Sequence, residues 1–323
     1  MTEAIDIVIP WVDGDDPVLA ARRRQYLTGK KEESLPDVAA ATRFSDLGEI
    51  FWCIDSINIF APFIRKIFIV TDGQDPHLEE HLASRFPGGH IPVEIVDHKV
   101  IFRGYEDYLP VFNSRSIEAV IWRIPGLSEH FLLMNDDFFL AGPVSPSDFF
   151  RDGKTVCYAD WRWTWLERMF RKMKPVKNGH VKATFKGSMI NAVDILGGHP
   201  RFLYLAHTPR ALKRSFYEDF FSRNEDMLLR NLRDRFRTAD QYNSQELFYI
   251  TELKAGRLKV IPTSRRLIYL KPHGSSSHVA RKLRRFDKAR NACFGCINSL
   301  DLASSEDRQR IFDWISRRLE RTE

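Results

Sequence analysis

The chain has 323 residues, 43% of them hydrophobic, and its 49 Lys and Arg against 43 Asp and Glu give a formal charge of +6. That length supports one large core, or a core with a smaller lobe, and no apolar run approaches the roughly 20 residues that a membrane-crossing helix needs. The four cysteines, Cys53, Cys157, Cys293 and Cys296, do not form the framework of a small secreted domain, and a strand that begins almost at once leaves no secretory signal to be expected.

Ile5-Asp-Ile-Val-Ile-Pro10 reads as a β-branched strand. It runs into an acidic turn bounded by Pro10 and Pro17, with Gly14 supplying backbone freedom. Trp11 offers a face for stacking a flat base, and Asp13 an acceptor for a ribose or sugar hydroxyl. The plainer alternative makes Trp11 core and the acids ordinary turn formers. A helix around Asp46 to Phe60 follows and crosses between strands in βαβ style. Asp46 with Glu49 three residues on resembles a capping box that lacks its usual Ser or Thr.

Ile67-Phe-Ile-Val70 is a strand ending in Thr71-Asp-Gly-Gln-Asp-Pro76, which brings Asp72 and Gly73 to its carboxyl end. Val93-Glu-Ile-Val96 ends in Asp97 and His98. In Phe112-Asn-Ser-Arg115, Asn113 and Arg115 follow a strand-like run, where an amide can fix sugar hydroxyls; the alternative is a helix N-cap by Asn113 or Ser114. Phe131-Leu-Leu-Met134 reads as a buried strand that delivers Asn135, Asp136 and Asp137. Side chains just past such strands lie where open α/β sheets bind ligands. Two adjacent carboxylates repel unless a cation or several donors neutralise them. A hard divalent metal, Mg2+ or Mn2+, holding a phosphate is the economical cation; a capped turn is the alternative. Four apolar runs that each end in acidic or turn residues point to one sheet edge lined for a polar ligand.

Gly142-Pro-Val-Ser-Pro146 breaks the pattern, so residues 1–146 are read as an α/β core. Residues 147–200 are aromatic, basic and weakly periodic, which suits an inserted lid or acceptor-facing subdomain, with a turn at Asn178-Gly179. Residues 201–323 are read as helical over 207–255, with Thr208-Pro209 near the start and Gly256 near the stop. Val260-Ile261 and Leu267-Ile-Tyr-Leu270 are late strands expected to rejoin the sheet, and Ser305 to Leu319 has helical spacing. The basic surplus gathers in Trp161 to Lys174 with Lys177, Lys182 and Lys186, and in Arg281 to Arg285 with Lys288 and Arg290. Aromatics among bases suit single-stranded nucleic acid, but no nucleic-acid motif accompanies them, so an anionic polymer or membrane surface comes first. Amphipathic helices with solvated charges are the plain alternative. Cys293-Phe-Gly-Cys296 has CxxC spacing with no second ligand pair, so it is read as packed thiols in a reducing compartment.

Together these segments resemble the Stealth proteins. That family includes bacterial capsular-polysaccharide phosphotransferases and the animal enzyme that attaches N-acetylglucosamine-1-phosphate to lysosomal glycoproteins. The first block resembles Ile5 to Pro17; the second runs from Arg43-Phe-Ser-Asp-Leu-Gly-Glu49 through Thr71-Asp-Gly73, Asp97-His-Lys99, Asn113-Ser-Arg115 and Arg123-Ile-Pro-Gly-Leu-Ser-Glu-His130 to Asn135-Asp-Asp137. The third, His207-Thr-Pro-Arg210 with Arg237, and the fourth, Ser277-His-Val279 with Cys296-Ile-Asn298, are looser.

The resemblance implies a Rossmann-like, GT-A-like nucleotide-sugar transferase core with a helical and aromatic insertion. It implies attack by an acceptor hydroxyl on the phosphorus next to the sugar, with UDP-N-acetylglucosamine the expected donor. A nucleoside monophosphate leaves, and a phosphodiester forms in a capsular or exopolysaccharide. Asp136 and Asp137 would hold Mg2+ or Mn2+, Arg237 would neutralise the phosphoryl group, and His207 would be the general base. A second arrangement has Asp137 take the proton while His207 binds phosphate. Trp11, Asp13, Gly14, Asp72, Gly73, Asn113, Arg115, Asn135 and His278 would bind substrate, with Lys271 and His273 as alternatives in a mobile phosphate-facing loop. The expected partners are a nucleotide-sugar donor and a saccharide acceptor, with peripheral contact to the membrane or the capsule assembly machinery and no nucleic acid. The expected location is cytoplasmic, at the inner face of the membrane. A metal-dependent glycosyltransferase and a non-catalytic anionic-polysaccharide-binding module are the alternatives.

Overall fold

The computed structural model describes residues 3–27, 47–173, 183–263, 266–272, 276–289 and 291–320. Asp46 of the expected capping box, Asn178-Gly179, Lys174, Lys177, Lys182, Arg290 and His273 lie outside the described residues. The strands are β1 (Ile5–Pro10), β2 (Ile64–Thr71), β3 (Val93–Asp97), β4 (His130–Leu133), β5 (Phe138–Leu140), β6 (Phe150–Arg151), β7 (Lys154–Trp163), β8 (Arg201–Leu205), β9 (Arg210–Lys213), β10 (Leu258–Ile261), β11 (Leu267–Leu270) and β12 (Phe294–Ile297).

The main sheet has the order β3-β2-β1-β4-β9. Its first four strands are parallel, and β9 runs antiparallel to β4. Alternation along β1 sends Ile5, Ile7 and Ile9 into one core and Val8 into the other, as expected for a strand covered on both faces. Helix Glu49–Phe60 covers the first face. That helix begins after Gly48, at φ 92°, where only glycine is comfortable. Glu49 accepts from the Leu47 amide beside this glycine entry. Val8 pairs with both Phe68 of β2 and Leu133 of β4, which aligns the carboxyl ends. The chain steps from β1 to β2 to β3 in one direction and returns to β4 on the other side of β1. The strand order therefore reverses between β1 and β4, where doubly wound sheets hold ligands.

Two expectations about the rest of the chain are corrected: that the late strands rejoin the main sheet and that 207–255 opens with a helix. Residues 147–200 contain β7, ten residues long, which pairs with β6, β8 and β10; its Thr155–Ala159 run is buried and supplies the order that weak periodicity concealed. The late strands do not rejoin the main sheet. β10 pairs with β7, and β11 pairs with β12, which pairs antiparallel with β5. The reason lies at β5: after the acidic turn the chain leaves the main sheet and offers its ladder to β12. The interval 207–255 opens with β9, not a helix, and then forms helices Arg214–Arg223, Glu225–Leu232 and Ser244–Lys254. Asn243 caps the last of these by accepting from Glu246 N at 2.7 Å, and Gly256, φ 71°, follows it as the sequence indicates. Helix Ser305–Glu320 forms where its spacing places it.

Candidate active site

The carboxyl ends of β1, β2, β3 and β4 share one edge. At β1, Trp11 N donates to Val70 O at 2.9 Å, and the indole is buried in the core, only 8% exposed, which leaves little face for a base. Asp13 Oδ1 accepts from Asp15 N at 2.9 Å. Gln74, in the loop after β2, accepts from Asp13 N at 3.0 Å and donates to Asp13 O at 3.0 Å and Asp16 Oδ2 at 2.9 Å. One amide thus ties the turn holding Gly14 to the end of β2, a role the sequence reading did not give it. Left-handed backbone on this edge falls at Gly73, φ 72°, where a Cβ would stand 3.5 Å from Asp97 Oδ2. Asp72 is paired with Arg22 at 2.7 Å. His98 is buried, its Nδ1 has no hydrogen-bond partner, and burial holds its pKa below the usual imidazole range.

Past the end of β4 come Asn135, Asp136 and Asp137, with the two carboxylates in the turn to β5. Asp136 Oδ1 accepts from Asp137 N at 3.0 Å. Asp137 O accepts from Ile297 N at 3.1 Å, so β12 fixes the backbone here. Asp137 Oδ2 accepts from Asn298 Nδ2 at 3.3 Å and from the Cys296 thiol at 3.5 Å. Its Oδ1 is buried with no partner. Burial pushes the Asp137 pKa up, against those two hydrogen bonds and the charge of Arg210. The loosest block of the sequence reading, Cys296 to Asn298, therefore meets the most specific one at a single carboxylate. The turn alternative accounts for the Asp136 contact, but it leaves Asp137 Oδ1 unexplained.

His207 follows β8 and lies between two rings, with Phe138 edge-on at 5.9 Å between centroids and Tyr269 at 4.9 Å. Burial, with the charge of Arg210 adding, pushes its pKa down to about 4. Packing removes the water that would solvate an imidazolium. Arg210 begins β9 opposite Leu133, which sets it beside the end of β4. It is buried, its Nη1 donates to Gln245 Oε1 at 3.3 Å, and its Nε has no hydrogen-bond partner. A buried guanidinium with an unspent donor, whose charge acts on both Asp137 and His207, is a group the sequence reading quoted but gave no role.

Arg237 lies on the β1 side of the edge, where its Nη2 donates to Ser114 Oγ at 2.6 Å. Phe112 and Phe236, stacked at 5.3 Å, pack with Val12 and Leu19 just past β1. Asn113 caps helix Ser114–Val120 and donates to Gln241 Oε1 at 2.8 Å. Arg115 is 4% exposed and donates to Thr238 O at 3.0 Å and Thr184 O at 2.8 Å. The helix-cap alternative accounts for Asn113, and both residues position the loop that carries Arg237. His278 sits on helix Ser276–Asp287 with its Nδ1 3.4 Å from Arg281 Nη2.

Two adjacent carboxylates with one buried, unsatisfied oxygen fit a divalent cation held by few protein ligands, although among the described residues no group of three or more ligating side chains comes together. Mg2+ commonly binds through one or two carboxylates and completes its shell with water and phosphate oxygens. Two concavities, of about 530 and 340 Å3, lie elsewhere, one at the opposite end of the sheet beside Glu129 and Lys213 and one beside Gly142 and Trp314. Chemistry, not cavity size, identifies the acidic edge.

Residues 3–31 match Stealth protein CR1, conserved region 1, and residues 43–157 match Stealth protein CR2, conserved region 2. Over 276 residues the chain is 29% identical to the receptor polysaccharide phosphotransferase WefC of Streptococcus oralis, covering 79% of this chain and 80% of that protein. It is 31% identical over 244 residues to the capsular polysaccharide phosphotransferase cps1A of Actinobacillus pleuropneumoniae, covering 74% of this chain but 62% of that one. Among solved structures, the galactosyltransferase LgtC overlays with a TM-score of 0.45 at 11% identity, covering 97% of this chain and 95% of that one. The bifunctional glycosyltransferase WbbM overlays at 0.47 and 10%, covering 99% and 50%. Overlaps this loose carry no argument about chemistry; the α/β assignment stands on the strand order itself.

Proposed function

This chain belongs to the Stealth family, and we propose that it transfers a sugar-1-phosphate from a nucleotide sugar to a sugar hydroxyl in a capsular or exopolysaccharide. The observation that carries this reading is the unsatisfied Oδ1 of Asp137 beside Asp136, at the point where the strand order reverses. Relatives named as polysaccharide phosphotransferases support it. UDP-N-acetylglucosamine is the donor we expect.

Asp136 and Asp137 would hold Mg2+ or Mn2+, which when bound supplies charge neutralisation to the donor diphosphate. Arg210, whose Nε has no hydrogen-bond partner and whose charge acts on Asp137, would meet the same diphosphate, and a guanidinium suits phosphoryl oxygens because its donors form a planar fork. Arg237, on the other side of the edge, is the second cation for the donor. His207 is neutral at pH 7 and can accept the proton of the acceptor hydroxyl. Its low pKa makes it a weak base in the empty protein, and a polyanionic donor beside it would raise that pKa. The hydroxyl oxygen forms its bond to phosphorus, the bond to the nucleoside monophosphate breaks, and the leaving group departs with the electron pair. In a second arrangement Asp137, whose pKa is raised, takes the proton and His207 binds phosphate.

Product analysis tests the reading. Pure protein with UDP-N-acetylglucosamine, Mg2+ and an acceptor oligosaccharide should release UMP and give a phosphodiester signal in 31P NMR. Release of UDP without a diester would instead identify a metal-dependent glycosyltransferase. Among the described residues no helix is long and apolar enough to cross a membrane. We place the reaction in the cytoplasm, where nucleotide sugars are made.

A further inference from the structure

Helix Thr164–Met173 presents its apolar side outward. Trp165 is 59% exposed, Phe170 47% and Met169 44%, and Trp163, just before the helix, is 51% exposed. At about 100° per residue, Trp165, Leu166, Met169 and Phe170 fall within an arc of roughly 140°, with Thr164, Glu167 and Arg168 on the opposite side. That polar side is fastened to the protein. Thr164 is buried and donates to His199 O at 2.9 Å, Glu167 accepts from Lys186 at 3.0 Å, and Arg168 pairs with Asp194. A surface helix ordinarily packs the other way round, with its apolar stripe toward the core. The ion pairs hold this one in the reversed orientation.

The charge around the patch is basic. From Trp161 to Met173 the sequence carries four cations, Arg162, Arg168, Arg171 and Lys172, against the single acid Glu167. Arg201 adds a guanidinium over Trp161 at 4.8 Å and over Trp163 at 5.7 Å. We propose that this face docks on an anionic lipid bilayer, with Trp163, Trp165, Met169 and Phe170 entering the interfacial layer and the cations meeting lipid headgroups. Tryptophan with flanking bases is the composition that interface favours. A saccharide chain could stack on the tryptophans, but it is too polar to cover Met169 and Phe170. A second copy would bring two cationic rims together, and those repel. The proposal is independent of the chemistry at the end of β4, and its test does not use turnover.

The full chain is to be sedimented with vesicles of phosphatidylcholine alone and of phosphatidylcholine and phosphatidylglycerol in equal parts. The expected result is binding at least about tenfold stronger to the anionic vesicles, a blue shift of tryptophan emission, and weakening as salt rises. Trp165→Ser with Phe170→Ser should cut vesicle binding about tenfold or more while leaving thermal unfolding unchanged, because both side chains are exposed. Absence of binding to anionic vesicles at low salt would overturn the proposal, as would undiminished binding by the double variant. If the double variant instead turns a dimer into a monomer on gel filtration, or loses only the binding of soluble anionic polysaccharide, the face serves that partner and the proposal fails.

Discussion

Asn298 donates its side-chain amide to Oδ2 of Asp137 at 3.3 Å, joining the residue after β12 to the turn between β4 and β5. The bond orients the carboxylate and leaves Oδ1 directed elsewhere, as an outer-shell partner of a metal ligand does. Asn298→Ala should therefore weaken the response to metal more than it harms the fold. We expect the Mg2+ concentration for half-maximal turnover to rise about 10–100-fold, with turnover largely recovered at saturating Mg2+. A Mg2+ titration of wild type and variant that superimpose would remove Asn298 from this role.

Asp137→Asn should abolish turnover and yet raise the melting temperature of the metal-free protein. The sign follows from burial: the carboxyl pKa is raised in the folded state, so its contribution to stability is present below the unfolded value of 3.8 and lost as pH rises through the folded value. At neutral pH the buried charge costs stability, and the amide removes that cost. The melting difference should shrink in acid. A chelator should abolish wild-type turnover, and Mg2+ or Mn2+ should restore it; full activity in excess chelator would take both carboxylates out of the metal role.

Much of the edge was legible in the sequence, because each strand entering it is a short apolar run stopped by acids. Asp72, Asp97 and Asp136 were found by that rule alone. What escaped depends on long-range pairing. Arg210 sits in a four-residue strand without periodicity, and its burial comes from pairing with β4. Gln74 looks like one polar residue among acids until its bonds to Asp13 and Asp16 are seen. Trp11 and Arg115 have types that suit ligands, but packing spends them on the core and on the 238 loop. The departure of β5 from the main sheet could not be read locally, since its partner β12 lies far along the chain.

His207 gives a stability signature separate from catalysis. Its folded pKa, about 4, lies below the ordinary 6.5, so it is neutral in the folded protein where the unfolded chain would be protonated. Its contribution is complete above pH 6.5 and is lost as pH falls toward about 4. Partial solvent access limits the effect to about 1–3 kcal/mol. The loss of stability on going from pH 7 to pH 4.5 should be smaller in His207→Gln than in wild type by that amount. Parallel melting curves for the two proteins across this range would contradict the buried, neutral imidazole.

Gly295 lies opposite Phe139 in the β12–β5 ladder, and a Cβ there would come within 2.2 Å of the Phe139 ring. Gly295→Ala should destabilise the protein by about 1–3 kcal/mol, the usual cost of overpacking. The strain should also loosen Cys296 and Asn298 on Asp137, so the Mg2+ requirement should rise. Phe139→Leu in the same chain makes room for the methyl group and should return part of the lost melting temperature. A double variant no more stable than Gly295→Ala would place the strain elsewhere.

Arg210 stands beside the end of β4 and Arg237 follows Phe236, which packs near the chain leaving β1, so their substitutions should separate by kinetic parameter. Arg210 acts on Asp137 and His207 and keeps an unspent Nε. If it meets the phosphoryl group as charge redistributes, Arg210→Ala should lower kcat by about 10²–10³-fold, the range for removal of one preorganised donor. Arg210→Lys should recover little of that, because an ammonium lacks the planar fork. Arg237 is held by Ser114 on the β1 side, so Arg237→Ala should raise donor KM with a smaller change in kcat, the pattern of a contact made equally in ground and transition states. His207→Ala should instead lower kcat by about 10²–10⁴-fold with little change in donor KM. Steady-state kinetics with varied donor at saturating Mg2+ and acceptor distinguishes the three. If Arg210→Ala changes only thermal stability while Arg237→Ala carries the fall in kcat, the phosphoryl group lies on the β1 side and Arg210 is a structural cation.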